Sequence, residues 1–121
     1  MALRVLNMFR GSKMVVETSM FFVRPGEAAR FEQAFAQASS VLASAPGYLG
    51  HELQRCIEVD YKYILLVRWR SLEDHTVGFC KSPHYREWRA LLRRFQNVFP
   101  VVEHFTTVVE RQRRGTEESG L

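Results

Sequence analysis

The sequence predicts an α+β fold of the ferredoxin-like, split βαβ type, with a four-stranded antiparallel sheet and helices on one face. Strand-like and helical segments follow one another in the order β-α-β-β-α(α)-β. The strongest strand, YKYILLVRW at residues 61–69, is apolar on both sides, so both of its faces need cover. The helices can cover only one face, so we expect a second copy to cover the other, sheet against sheet, in a homodimer.

The first half of the chain contains two strands around one helix. Residues 14–24, MVVETSMFFVR, are rich in β-branched and aromatic side chains and end at a Pro-Gly pair, which predicts a strand closed by a turn. Residues 27–43 carry apolar side chains at helical spacing and precede a second Pro-Gly pair, which predicts an amphipathic helix of about four turns. The alternation in residues 47–55 predicts the next strand.

A short helix is expected directly after the strong strand. Ser71, followed three residues later by Asp74, matches a capping box and predicts where this helix begins. Leu72, His75 and Phe79 then fall on one face of it.

The last part of the domain is predicted as a helix and a strand. Ser82 and Pro83 indicate a helix start, because proline is favoured at the first helical position. The apolar stripe of this helix extends from Tyr85 to Phe95. Residues 101–109, VVEHFTTVV, predict the final strand, and the polar residues after it predict a frayed tail.

The length of 121 residues suits a single domain. We divide the chain into an N-terminal extension at residues 1–13, the domain at 14–109 and a polar C-terminal tail at 110–121. The extension contains arginines and no acidic residue, so a leader peptide and a start codon ahead of Met14 both remain open.

Composition excludes several classes of function. The net charge is +4, but the excess lies mostly near the two ends and in residues 86–94, and no nucleic-acid-binding motif is present. No apolar run approaches the ~20 residues of a membrane-spanning helix. Cys56 and Cys80 form neither a CxxC pair nor a zinc-ligand pattern. We therefore expect a cytoplasmic protein without nucleic-acid, membrane or metal partners.

Four segments in order, PGYLGHELQRC, YILLVRWRSLEDH, SPHYREWRALL and VEHF, resemble the antibiotic biosynthesis monooxygenase family of dimeric α+β barrel proteins. The resemblance spans about residues 14–109. It implies a homodimer with a pocket between sheet and helices in each subunit. The family includes cofactor-free monooxygenases of aromatic polyketides and quinols, heme-degrading oxygenases, and small-molecule-handling members without an assigned reaction.

Three polar or aromatic residues are the predicted catalytic set. The indole of Trp69 offers a wall for an aromatic ring, the imidazole of His75 can take a proton near neutral pH, and the guanidinium of Arg89 can hold an oxyanion. The resemblance supports this set in part, since polyketide-oxidising members have the same residues at the positions of Trp69 and Arg89. They have tyrosine in place of His75 and asparagine in place of Leu65. The predicted substrate-binding residues are Tyr85, Phe79 and Leu65.

Structural roles compete with these assignments. Trp69 can be a core side chain at a strand end, His75 a satisfied core histidine, and Arg89 a salt-bridge partner of a nearby glutamate. His51 and His104 lie on predicted strands, where we expect them in the dimer interface rather than in catalysis.

The leading functional hypothesis is a cofactor-independent monooxygenase that oxidises an electron-rich aromatic, such as a quinol or polyketide-like phenol, with O2. The alternative is a non-catalytic dimeric module that binds a small molecule. A heme-degrading oxygenase is the third, but the resemblance places Arg89 where that branch has its iron-ligating histidine, and Ser19 near its asparagine.

Overall fold

The computed structural model describes residues 2–5, 14–97 and 100–113. In chain order its elements are β1 (Ala2–Val5), β2 (Val15–Phe22), α1 (Ala28–Ala43), β3 (Tyr48–Arg55), β4 (Lys62–Trp69), a π-helical turn (Asp74–Phe79), α2 (Pro83–Leu92), a 3-10 turn (Arg93–Phe95), β5 (Val102–Phe105) and β6 (Val109–Gln112).

The main sheet has the strand order β3-β4-β2-β5, and every neighbouring pair is antiparallel. The two central strands, β2 and β4, pair over their full length, from Val15 opposite Trp69 to Phe22 opposite Lys62. Together with two helices packed on one another, this topology confirms the predicted ferredoxin-like α+β fold.

Aromatic side chains dominate the core between the sheet and the helices. Phe31 of α1 is fully buried and lies 4.9 Å from the ring of Tyr63 and 5.7 Å from that of Phe95, measured between centroids. The apolar stripe of α1 therefore faces the core, as its helical spacing predicted. The buried apolar residues are Phe21, Val23, Phe31, Phe35, Ala38, Leu42, Ala45, Tyr63, Leu65, Val67, Trp69, Phe79, Trp88, Leu92 and Phe95.

The sheet is apolar on its outer face as well, as the pattern of β4 predicted. Ile64 and Leu66 point away from the helices and are half-buried. Around them, Met20, Phe22 and Phe105 are 36%, 52% and 54% exposed. Within the described part of one chain, no helix covers this face.

The final strand differs from the prediction. The predicted single strand at residues 101–109 is divided into β5 and β6, and β6 extends into the tail that we expected to be frayed. β6 pairs with β1 in a separate two-stranded sheet, with Ala2 opposite Gln112 and Val5 opposite Val109. Backbone pairing thus orders two four-residue segments that the sequence did not predict as strands. The rest of the predicted extension and tail lies outside the described residues.

The short helix after β4 is a π-helical turn rather than an α-helix. The Cys80 N–H donates to the carbonyl oxygen of His75, five residues earlier, at 2.9 Å. The predicted cap is confirmed, since the Asp74 N–H donates to Ser71 Oγ at 3.1 Å. Of the three residues predicted to share one face, His75 and Phe79 are buried, whereas Leu72, which precedes the turn, is 40% exposed.

No helix among the described residues is both long enough and apolar enough to cross a bilayer.

The two Pro-Gly turns give a first testable prediction. Gly26 and Gly47 have φ angles of +79° and +85°. A Cβ atom added at Gly47 would collide with Asp74, whereas one added at Gly26 would meet no atom within 4 Å. We expect Gly26→Ala to cost about 1–2 kcal/mol for its left-handed backbone. Gly47→Ala should cost about 2–5 kcal/mol, because the collision adds to the strain. Urea denaturation measures both, and equal losses would contradict the predicted contact with Asp74.

Candidate active site

A cavity of about 210 Å³ lies between the inner face of the sheet and the helices. β2, α1, the π-helical turn, α2 and β5 all contribute to its wall, which is mainly apolar. Its lining residues are Glu17, Ser19, Phe21, Leu42, His75, Thr76, Phe79, Cys80, Tyr85, Trp88, Pro100, Val102 and His104.

Glu17 is the only buried acidic side chain in the described part of the molecule, at 6% exposure. It lies on the inner face of β2, in phase with Phe21. Trp69 Nε1–H donates to its Oε1 at 2.9 Å, and the Ser19 hydroxyl donates to its Oε2 at 3.3 Å. Burial raises the pKa of Glu17, and the hydrogen bonds from Trp69 and Ser19 offset part of that rise.

His75 enters the same region from the π-helical turn. Its ring stacks on the indole of Trp69, with centroids 5.2 Å apart and planes 24° apart. Its Nε2 lies 3.2 Å from Glu17 Oε1, a distance that would also suit an ion pair. Burial, with a smaller contribution from His104, lowers the pKa of His75 to about 4. His75 is therefore neutral at neutral pH, so this close approach to Glu17 is not an ion pair.

His104 completes the group from β5, where it pairs directly opposite Glu17. Its Nε2 lies 2.7 Å from Nδ1 of His75, and burial lowers the pKa of His104. If His75 Nε2–H donates to Glu17, Nδ1 of His75 must accept from His104 Nε2–H, a tautomer assignment that follows from the hydrogen-bond network. We call Glu17, His75 and His104 the polar triad.

Cys80 also reaches the triad, with its Sγ 3.5 Å from His75 Nε2. Burial and the charge of Glu17 raise the pKa of the Cys80 thiol. The sulfur is thus a neutral thiol at neutral pH, which is a poor nucleophile.

The family model for antibiotic biosynthesis monooxygenases matches residues 14–91. YczJ of Bacillus subtilis (strain 168), a protein of uncharacterised function, is 48% identical over 95 residues, which cover 78% of this chain and all of the relative. The chain belongs to the antibiotic biosynthesis monooxygenase family.

Solved structures share the fold of this chain. A candidate antibiotic biosynthesis monooxygenase from Bordetella bronchiseptica superposes with a TM-score of 0.76 at 35% identity, over 79% of this chain and 98% of that one. SnoaB of Streptomyces nogalater, described as a cofactor-independent oxygenase, superposes with a TM-score of 0.63 over 86% of this chain and 97% of that one. It is 23% identical, so that likeness concerns the fold alone.

The predicted site residues of this family member fall into two groups. His75, Phe79 and Tyr85 line the cavity. Trp69 lies behind His75, fully buried, where it holds both the His75 ring and the Glu17 carboxylate.

The other two predicted site residues lie away from the cavity wall. Leu65 is 1% exposed and belongs to the core. Arg89 is exposed on α2 and is not part of the cavity wall, so its predicted contact with an oxyanion finds no support in this arrangement.

The cavity residues Glu17, Ser19 and His104 were not predicted as functional. Glu17 and Ser19 could have been found, because their spacing of two places them in phase with the apolar Phe21 on the buried face of β2. His104 was expected in the dimer interface, and this is wrong, since its register opposite Glu17 turns it toward the helices. The sequence of one strand does not show which residues it pairs with on the neighbouring strand.

The cavity offers no obvious place for a cation. Within residues 2–5, 14–97 and 100–113, no three His, Cys, Asp or Glu side chains are arranged to hold a metal ion. The described part of the cavity wall contains neither lysine nor arginine, so its polar chemistry comes from the triad, three hydroxyls and one thiol.

The low pKa of His75 gives a prediction for stability. Unfolded histidine has a pKa near 6.5, whereas native His75 stays neutral down to about 4, so the unfolded state binds more protons between these values. Stability should therefore fall as the pH drops, by about 2 kcal/mol from this residue between pH 7 and pH 5. Urea denaturation at both pH values should show a smaller loss for His75→Gln. The raised pKa of Glu17 acts in the opposite direction, since it favours the native state as the pH drops, but it is present in both the parent protein and His75→Gln. Equal losses of stability in the two proteins would therefore contradict a neutral, buried His75.

Proposed function

We propose that the protein is a cofactor-independent monooxygenase that oxidises a small, electron-rich phenol or quinol with O2 in this cavity. The observation that carries the proposal is a buried proton-accepting group, the polar triad, in an otherwise apolar chamber. Family membership supports the reaction class, and the described activity of SnoaB supports the absence of a cofactor requirement.

In the proposed mechanism the histidine pair of the triad takes the proton of the substrate hydroxyl. The resulting phenolate gives electrons to O2 and forms a carbon–oxygen bond at its para position. One oxygen atom becomes a quinone oxygen and the other leaves as water, so a phenol and O2 give a quinone and water in balance. The aromatic walls of Phe79 and Tyr85 hold the ring and keep water from the anion.

The size of the cavity favours substrates of one or two rings. An engineered apolar cavity of about 150 Å³ holds benzene, and drug-sized ligands occupy about 300–1,000 Å³. The chamber here, at about 210 Å³, lies between them. We therefore propose a monocyclic or bicyclic substrate rather than a polycyclic polyketide or heme.

The proposal includes a homodimer through the outer face of the sheet. Met20 and Phe22 of β2 and Ile64 of β4 line a shallow depression on this face, about 300 Å³ in volume. Covering even ~400 Å² of apolar surface contributes about 10 kcal/mol, so a second copy packed sheet against sheet accounts for these exposed side chains.

A non-catalytic binding module is the second candidate, and one observation favours it. Among the described residues, the cavity wall contains no lysine or arginine that would stabilise a phenolate. A module that binds a neutral aromatic would need the same apolar walls and would not consume O2.

Oxygen uptake tests the activity. We expect metal-free protein to accelerate O2 consumption by 1-naphthol and to form naphthoquinone in equal amount. His75→Gln should lower kcat/KM by about 10²–10⁴-fold, the usual contribution of a general base. His84→Gln is the matched control, because His84 is an exposed histidine on α2 away from the cavity. Binding of 1-naphthol without O2 uptake would instead establish the binding module.

Light scattering after size exclusion tests the assembly. We expect a dimer, and Phe22→Asp should raise its dissociation constant at least about a hundredfold, because two-fold symmetry buries the new charge twice. Ile57→Asp is the control, since Ile57 is 94% exposed in the loop between β3 and β4. A monomeric parent protein, or equal effects of the two variants, would refute this interface.

A further inference from the structure

We infer that the polar triad is a proton relay that ends on Glu17: His104 receives the substrate's proton, His75 passes one on, and the carboxylate of Glu17 keeps it. The inference rests on the proposed function, because it concerns the same cavity and the same substrate hydroxyl. It adds the destination of the proton and assigns catalytic roles to Glu17 and His104.

The nitrogen and oxygen atoms of the triad follow one another at short distances. His104 Nε2 and His75 Nδ1 are 2.7 Å apart, and His75 Nε2 and Glu17 Oε1 are 3.2 Å apart. Nδ1 of His104 has no hydrogen-bond partner among the described residues, and the residue lines the cavity. A substrate hydroxyl can therefore join the free end of the relay.

The transfer balances atom by atom. The substrate O–H bond breaks and an N–H bond forms at His104 Nδ1. The proton on His104 Nε2 moves to His75 Nδ1, and the proton on His75 Nε2 moves to Glu17 Oε1. Both imidazoles are neutral before and after the transfer and only exchange tautomers, so burial does not oppose the step as it would oppose an imidazolium.

Glu17 is the favoured destination of the substrate proton, because the number of buried charges then stays the same. Before transfer the cavity holds one negative charge on Glu17, and afterwards it holds one on the phenolate. A proton left on His75 would instead add an imidazolium to a site from which burial has already driven the His75 pKa down to about 4. No new charge has to be desolvated when the proton reaches Glu17.

The surroundings of Glu17 suit a proton acceptor. The groups that face it are the indole of Trp69 on β4, the Ser19 hydroxyl on its own strand, His75 from the π-helical turn, and His104 opposite it on β5. Cys80 adds a neutral thiol whose own pKa Glu17 raises. None of these is a lysine or arginine, so burial keeps the pKa of Glu17 above its usual range.

The relay also affects reactivity toward O2. A phenolate paired with a cation holds its electrons more tightly than one without a cation, by simple Coulomb attraction. Storing the proton on Glu17 leaves the phenolate beside two neutral imidazoles. The absence of a cation from the cavity wall then favours electron transfer, although it gives no help in binding the anion.

Binding of 4-nitrophenol tests the relay without turnover, because this electron-poor phenol changes its absorption when it ionises. At a pH about one unit below the probe's own pKa, we expect the parent protein to bind it as the yellow phenolate. Calorimetry in two buffers of different ionisation enthalpy should show that no proton is released, since the protein retains it. Glu17→Gln should bind the probe as the colourless neutral phenol.

Two further variants keep the test decisive. His104→Gln should also lose the phenolate band, because it removes the entry of the relay, and it covers the case in which Glu17→Gln does not fold. His84→Gln should behave as the parent protein does. A neutral bound probe in the parent, a proton released to buffer, or a phenolate band retained in folded Glu17→Gln would overturn the relay while leaving the oxidation proposal intact. No binding at all would overturn both.

Discussion

The burial of one carboxylate organises the candidate site. Withdrawing an ionised group from water costs several kcal/mol unless hydrogen bonds replace its hydration. The indole N–H of Trp69 and the hydroxyl of Ser19 donate such bonds to Glu17, and the imidazole Nε2 of His75 lies 3.2 Å from Glu17 Oε1. These contacts therefore fix the position of the inner face of β2 relative to the end of β4 and the turn that follows it. The inner face of β2 and this turn form part of the cavity wall. His104 reaches this wall because β5 pairs with β2.

The outer face of the sheet shows a second constraint of the same kind. Its apolar side chains cannot be covered by the helices, because both helices already pack on the inner face and on each other. A single chain of this size has no element left for the purpose among its described residues. The two proposed functions thus fall on opposite faces of one sheet, with chemistry on the inner side and association on the outer side.

Local patterns were enough to predict most of the fold and part of the site. The alternation in β4 and the Ser71 cap predicted the positions of Trp69 and His75, because each depends on a short stretch of sequence. Arg89 was harder to place, since it lies four residues after the cavity residue Tyr85 and yet is exposed. The burial of its neighbour Trp88 shows where the inward stripe of α2 is centred. The contact between Glu17 and His104 depends on pairing between strands about 80 residues apart in sequence, which no local pattern contains.

In the part of the cavity wall that the structure describes, the lack of lysine and arginine has a consequence for the selectivity of the proposed site. An aromatic acid would bring a second negative charge close to the one already there, and at about 5 Å and an effective dielectric constant of about 20 the repulsion is about 3 kcal/mol. The proposed site would therefore favour uncharged aromatic compounds, whose binding should depend little on ionic strength.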